Sequence, residues 1–307
     1  MKEERAQAQT SFIFLLSTFK TLMPSPNRIG LVTDSPCDLP LDLVEQHQIE
    51  VVPAILVLDG QSYRDGETIS REEFYRRLPD LRTAPSTAAP SPLIFAGRYE
   101  KLLSAGCEHV ICVSTAASLT SLHGVAKTAA ADFPGRVTVL DSGQLTLGIG
   151  FQVLAAAEAI AAGVGLAETL ALIESIRQRV RLMGVLDTLE YVRRSGRVPG
   201  VVASLGGLLN LKPVVTLSEG VVRPLGAVRT TRQANQRVLS LLIEQGRLER
   251  LAILHTNAAD RAREFIELLA GKVEIPPGLL TVNLTSVLGT HLGPNGLGFA
   301  AVINRVK

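Results

Sequence analysis

The sequence predicts an α/β protein of two domains. A three-layer parallel α/β/α domain over residues 28–163 is followed by a two-layer α+β domain with a mixed sheet over 164–307. Three observations predict this. Short apolar runs alternate with helical patterns through the first half, the spacing of a parallel, doubly wound sheet. Gly163-Val164-Gly165 then interrupts the pattern. In the second half, Ser218-Glu219-Gly220 joins two β-rich runs as a hairpin, which an all-parallel sheet does not contain.

Taken in order, residues 1–27 read as an extension outside the body. Their apolar patch, Phe12 to Leu16, is too short to span a bilayer. Lys2 and Arg5 are mixed with Glu3 and Glu4 and no small-residue cleavage site follows, so it makes a weak signal peptide. The body begins with a strand at 28–33, and Pro40 opens a helix. A second strand region covers 51–58 and a hairpin or flap covers 59–68. Ser70 and Glu73 form a capping box for a helix at 71–78. The proline-rich stretch 80–92 reads as a stiff, extended loop, because proline fixes φ and disfavours helix before it. A helix at 92–104, a strand at 110–113, a helix to 131 and a strand at 137–140 follow. The Ala-rich helix 145–162 is expected to be buried over much of its surface. The second half reads as helix 166–179, strand 182–186, a short helix at 188–194, the hairpin 211–225, helix 230–245, strand 251–255 and helix 259–270. A short strand near Val282, a Gly/Pro loop at 288–296 and a last strand at 297–303 complete it.

Composition removes several functions. A net charge of +2, from 31 basic and 29 acidic residues, gives no case for nucleic acid. The absence of Trp and an aromatic content of 4% argue against stacking platforms for bases or sugars. Cys37, Cys107 and Cys112 lack metal-ligand spacing and fit a reducing, cytoplasmic setting. There is no phosphate-binding loop, dinucleotide fingerprint or zinc-protease motif, and no metal or cofactor is expected. Ser114, His291 and Asp141 are a conceivable hydrolase triad, but the nucleophile-elbow spacing is missing.

What remains is a set of hydroxyl-rich strand ends. Asp34-Ser35, Ser114-Thr115 and Asp141-Ser142 each close a strand. In open α/β sheets such ends share one crevice. Between the strand at 110–113 and the helix after it lie Ser114, Thr115, Ser118, Thr120 and Ser121, with no carboxylate, thiol or lysine among them. Free backbone N–H groups and hydroxyls at a helix start suit the holding of an oxyanion. The alternative is one capping serine among solvated neighbours.

The ordered motifs resemble those of the DegV family of bacterial fatty-acid-binding proteins. The resemblance runs from about Arg28 to Val306. It is carried by Val32-Thr33-Asp34-Ser35-Pro36-Cys37-Asp38-Leu39-Pro40, by Pro85-Ser86-Thr87-Ala88-Ala89-Pro90-Ser91-Pro92 as a threonine loop, and by 113–126 as a serine loop. Val139 to Ser142, Leu189 to Val198, Leu211-Lys212-Pro213 and Gly289 to Pro294 continue the series.

The resemblance implies a non-enzymatic carrier that holds a long-chain fatty acid between two domains. Thr87 and Ser118 or Ser114 would grip the carboxylate, with Thr115, Arg197 and His291 around it. The acyl chain would enter an apolar tunnel in the second domain. A separate fatty-acid kinase is the implied partner, with Arg193, Arg194 or Arg197 as contacts and no more than transient membrane contact. An orphan lipid sensor or buffer without a kinase is the other carrier reading. Departures from the family pattern are Ala88 and Ala89 after Thr87, Leu119 where the serine loop has Gly, Ser121 where an aromatic is common, and Asn295 where Gly is usual.

Overall fold

The computed structural model describes residues 28–196, 203 and 211–304. Strand β1 (Ile29–Asp34) is buried at all six positions. It pairs in parallel with β2 (Glu50–Val52) and β6 (His109–Ser114), and β6 pairs in parallel with β7 (Val137–Asp141), giving the order β2-β1-β6-β7. Alternate residues feed two cores. Leu31, Ile111 and Val113 face one side, and Val32, Val110 and Cys112 face the other. A strand covered on both faces must be apolar throughout, which is why these runs do not alternate with polar residues.

Helix α1 (Leu41–Gln46) follows β1. The expected strand region 51–58 is two strands in different sheets. Pro53 has no N–H to continue a ladder. Beyond it, β3 (Ile55–Leu58) leaves the parallel sheet and pairs antiparallel with β4 (Gln61–Arg64). Asp59 and Gly60, both at positive φ, make the tight hairpin turn. The stretch expected as an extended loop contributes a third strand, β5 (Ser86–Ala88), which places Thr87 opposite Leu56. Helix α2 (Arg71–Arg77) has half of its expected capping box. Ser70 accepts from the Glu73 N–H, while the Glu73 carboxylate turns instead to Arg76 and Arg77.

Helices α3 (Pro92–Ser104) and α4 (Leu122–Ala130) cover one face of the parallel sheet through Phe95, Tyr99, Leu122 and Ala126. Helix α5 (Leu147–Ala161) covers the other and has 12 of its 15 residues buried. A second helix, α6 (Leu166–Arg179), packs against α5.

The second sheet is six-stranded and mixed, in the order β10-β9-β8-β13-β11-β12. Its strands are β8 (Val180–Val185), β9 (Lys212–Ser218), β10 (Val221–Val228), β11 (Leu248–His255), β12 (Leu280–Asn283) and β13 (Leu297–Ile303). Short helix α7 (Glu190–Ser195) follows β8 and ends at Gly196 in the left-handed region. Helices α8 (Thr231–Ile243) and α9 (Ala259–Leu269) pack on one face. Helices α5 and α6 close the other, so α5 lies between the two sheets.

The predicted Gly/Pro loop at 288–296 is half helix. Helix α10 (Ser286–Leu292) is capped by the Thr285 hydroxyl, which accepts from the Leu288 N–H. Gly289 is not a breaker here. A Cβ on it would lie 2.6 Å from the Tyr75 hydroxyl and 2.7 Å from a Phe74 ring carbon, so glycine allows α10 to press against α2.

Candidate functional site

Two adjoining cavities lie where α10, the parallel sheet and the mixed sheet meet. The first, about 110 Å³, is reached by Thr87, Thr120, Leu119, Val287 and His291. The second, also about 110 Å³, runs over the mixed sheet past Gly184, Gly298, Met183 and Leu254. Leu145, Leu186, Val215, Val222, Leu288 and Leu292 line both, forming an apolar neck between them.

The floor of the second cavity follows from strand alternation. Val180 and Leu182 of β8, and Ala300 and Val302 of β13, pack toward α5. At the next position of each strand on that face stand Gly184 and Gly298, paired directly across the ladder. Both line the second cavity, and a Cβ on Gly298 would lie 2.5 Å from the Met183 carbonyl, so glycine lets the two strands approach closely at this floor.

The polar end of the first cavity joins distant elements. β5 brings Thr87 in from the small sheet, and the last turn of α10 brings His291. Thr87 Oγ1 and His291 Nε2 are 3.0 Å apart. Thr115 reaches the same cavity, but its hydroxyl donates to Asp34 Oδ1 (2.6 Å) and its N–H to Asp34 Oδ2 (2.8 Å). Asp34 therefore fixes the start of the serine loop. Burial pushes its carboxyl up to about 6, against the lowering effect of the Thr115 bonds.

The other predicted site residues are directed elsewhere. Ser114 is fully buried, lines neither cavity, and has its hydroxyl on His123 Nδ1 (2.9 Å) and the Leu140 carbonyl (3.2 Å). Ser118 also lines neither cavity, and its hydroxyl donates to the Gly220 carbonyl at 2.6 Å. Arg197 lies outside the described residues. Thr120, not singled out as a site residue from sequence, does line the first cavity. The signal was present, since Thr120 is one of the loop hydroxyls between the strand at 110–113 and the helix after it.

The arrangement does not assemble the conceivable triad. His291 pairs with Thr87, Ser114 has His123 as its imidazole neighbour, and the Asp141 carboxylate accepts from the N–H groups of Ala117 (3.2 Å) and Gly143 (2.9 Å). Among the described residues, no group of three or more His, Cys, Asp or Glu side chains is placed to hold a metal ion.

A second buried network holds α10 in place. Asp38 Oδ1 accepts from the Thr285 N–H at 2.7 Å, and Arg71 lies 3.4 Å from the same carboxylate while donating to the Asn283 carbonyl. Ser35 donates to Asp65 Oδ2 at 2.7 Å. Burial pushes Asp38 up to about 7, opposed chiefly by the Arg71 guanidinium.

Comparison with known proteins agrees with this frame. The family model described as "Uncharacterised protein, DegV family" matches residues 28–304. The chain belongs to the DegV family. A DegV domain-containing protein of Streptomyces coelicolor is 32% identical over 275 residues, which covers 88% of this chain and 96% of that one. The solved DegV family protein of Thermus thermophilus, described as binding fatty acid, is 36% identical with a TM-score of 0.83, covering 90% of this chain and all of that one. Bacillus subtilis DegV, described as a fatty acid binding protein, is 28% identical with a TM-score of 0.80, covering 91% and 100%. In this DegV chain, no helix among the described residues is long and apolar enough to cross a membrane.

Proposed function

We propose that the chain binds a long-chain fatty acid, with the carboxylate at Thr87 and His291 and the acyl chain passing through the neck into the second cavity. The observation that carries this reading is the Thr87–His291 pair at one end of a mostly apolar double cavity. Thr120 is a further hydroxyl lining the first cavity, and Arg197 belongs to the head-group set by resemblance. The description of the Thermus and Bacillus relatives as fatty-acid binders supports the same ligand.

The energetics suit such a ligand. Each methylene taken out of water contributes about 0.8 kcal/mol, so a long chain supplies on the order of 10 kcal/mol before ordering costs. The tail would supply affinity and the polar end orientation. The protein then acts as a carrier, with no chemical step of its own, and presents the carboxylate to a separate fatty-acid kinase in the cytoplasm. Arg193 and Arg194, exposed on α7, are the candidate contacts. Exposed charges of this kind act mainly on association rate and its salt dependence.

Extraction of the purified protein under denaturing conditions, followed by mass spectrometry, tests the ligand. Co-purifying fatty acid and a rise in Tm with added palmitate or oleate are expected. Absence of both would sink the reading. Acyl phosphate formation with a bacterial fatty-acid kinase and ATP separates a carrier from an orphan buffer.

A further inference from the structure

The hairpin of β9 and β10 combines a wall, a hinge and a fastening. Among the described residues, β10 is an edge strand whose one partner is β9. Val215 and Val222, one from each strand, line both cavities, so the hairpin is the outer wall of the neck. The β9–β10 register shifts between Pro224 and Gly226. Pro224 has no N–H to give the ladder, and Gly226 sits at φ +115°, where other residues are strained. A bulge of this kind is where an edge strand bends most easily.

The tip of the hairpin is fastened to the parallel half by two hydrogen bonds. The Gly220 N–H donates to the Gly143 carbonyl at 2.9 Å, and the Ser118 hydroxyl donates to the Gly220 carbonyl at 2.6 Å. Gly220 sits at φ +74°, and a Cβ on it would lie 2.5 Å from Ser118 Oγ, so the contact is built for glycine. Behind the tip is a polar cleft of about 500 Å³, bordered by Ser142, Gly143, Arg177, Arg181, Ser218 and Glu219. The tip therefore has room on one side and the cavities on the other.

We propose that residues 218–223 form the portal through which the acyl chain enters and leaves, swinging at the Pro224–Gly226 bulge and fastened by Ser118 and Gly143. The proposal rests on the fatty-acid reading above. It gives Ser118 a role in ligand passage, distinct from gripping the carboxylate. Leu119 itself lines the first cavity, with the Ser118 hydroxyl beside it turned to the hairpin.

A reversible lock tests the portal. In Ser118→Cys/Gly220→Cys the two Cβ atoms would start 3.5 Å apart, within the range of about 3.5–4.5 Å that disulfides span. The native thiols of Cys37, Cys107 and Cys112 are all buried and poorly placed to compete. The protein is loaded with palmitate, and exchange against deuterated palmitate is followed by mass spectrometry. Oxidation should slow exchange at least 10-fold, and reduction should restore it. Ser118→Ala, which avoids strain at Gly220, should speed loading and release together by several-fold, with the dissociation constant nearly unchanged. Equal exchange in the oxidised and reduced proteins would remove the portal alone. So would a Ser118→Ala variant that binds more weakly at an unchanged loading rate, since that is the signature of a carboxylate contact. Failure of the wild-type protein to bind palmitate would remove the fatty-acid reading and the portal with it.

Discussion

Thr87 Oγ1 and His291 Nε2 meet at 3.0 Å although 204 residues separate them in the chain. Each comes from an element anchored independently, Thr87 by the β3–β5 ladder and His291 by the capped helix α10. Thr87→Val keeps the shape and removes the hydroxyl. Loss of one charge-assisted bond to a partly desolvated carboxylate costs roughly 1.5–3 kcal/mol. Titration of delipidated protein should show about 10- to 100-fold weaker binding with little change in Tm. Thr87→Val combined with His291→Ala should be non-additive, because both groups serve one anion. Wild-type affinity in Thr87→Val, with the fold intact, would place the head group elsewhere.

The paired glycines of the cavity floor predict selectivity for chain length. Gly184→Val adds methyls on the face that lines the second cavity, where even a Cβ would be 3.1 Å from the Leu297 carbonyl. Excluding two methylenes forfeits about 1.6 kcal/mol, roughly a 15-fold loss. Stearate should lose that much affinity while laurate loses little. A parallel loss for both acids would mean that the tail does not reach this floor.

Asp34 makes stability depend on pH in a stated direction. Its carboxyl rises from 3.8 in the unfolded chain to about 6 when buried, so the folded protein binds the proton more tightly. The stabilisation this supplies is complete below about pH 4 and is lost as pH rises through about 6. Asp38, raised to about 7, acts the same way over a range extending higher. A rise of about two units corresponds to roughly 3 kcal/mol. Asn at position 34 can still accept from the Thr115 N–H, so Asp34→Asn should flatten the decline of Tm over this interval. An unchanged decline would show that Asp34 is not its source.

Arg71 should behave as half of a buried pair. Above about pH 7, where Asp38 is ionised, Arg71→Gln leaves this fully buried carboxylate without its cation, and breaking such a pair costs roughly 3–5 kcal/mol when both partners are enclosed. Arg71 retains 28% side-chain exposure, so the lower end of that range is expected. Adding Asp38→Asn should recover part of the loss, which denaturant titration of the two single variants and the double variant would measure.

Much of the fold was legible because alternation and helical period are local signals. The parallel sheet, the buried Ala-rich helix and the 211–225 hairpin all followed from short windows. The departures share a physical cause, which is long-range contact. Gly289 resembles a helix breaker until Tyr75 and Phe74 are brought against it. Ser86–Ala88 becomes a strand only because β3 offers an open edge. At the site, Thr87 and His291 were both visible as candidates, since their residue types and motifs announce them. The destination of the Ser118 hydroxyl was not, because its acceptor, Gly220, lies 102 residues away and belongs to a turn whose docking no local pattern records.

Helix α5 has a consequence for the integrity of the whole chain. One of its flanks meets β1 and β6, and the other meets β8 and β13. A fragment ending at residue 163 would carry this helix with one apolar flank turned to water, and it should aggregate or remain molten. A protease cut in the turn around Gly163 in the intact protein should instead leave two pieces that stay together on a gel-filtration column. The nicked protein should then melt in a single transition, since neither sheet can shed this shared helix without losing its own interior.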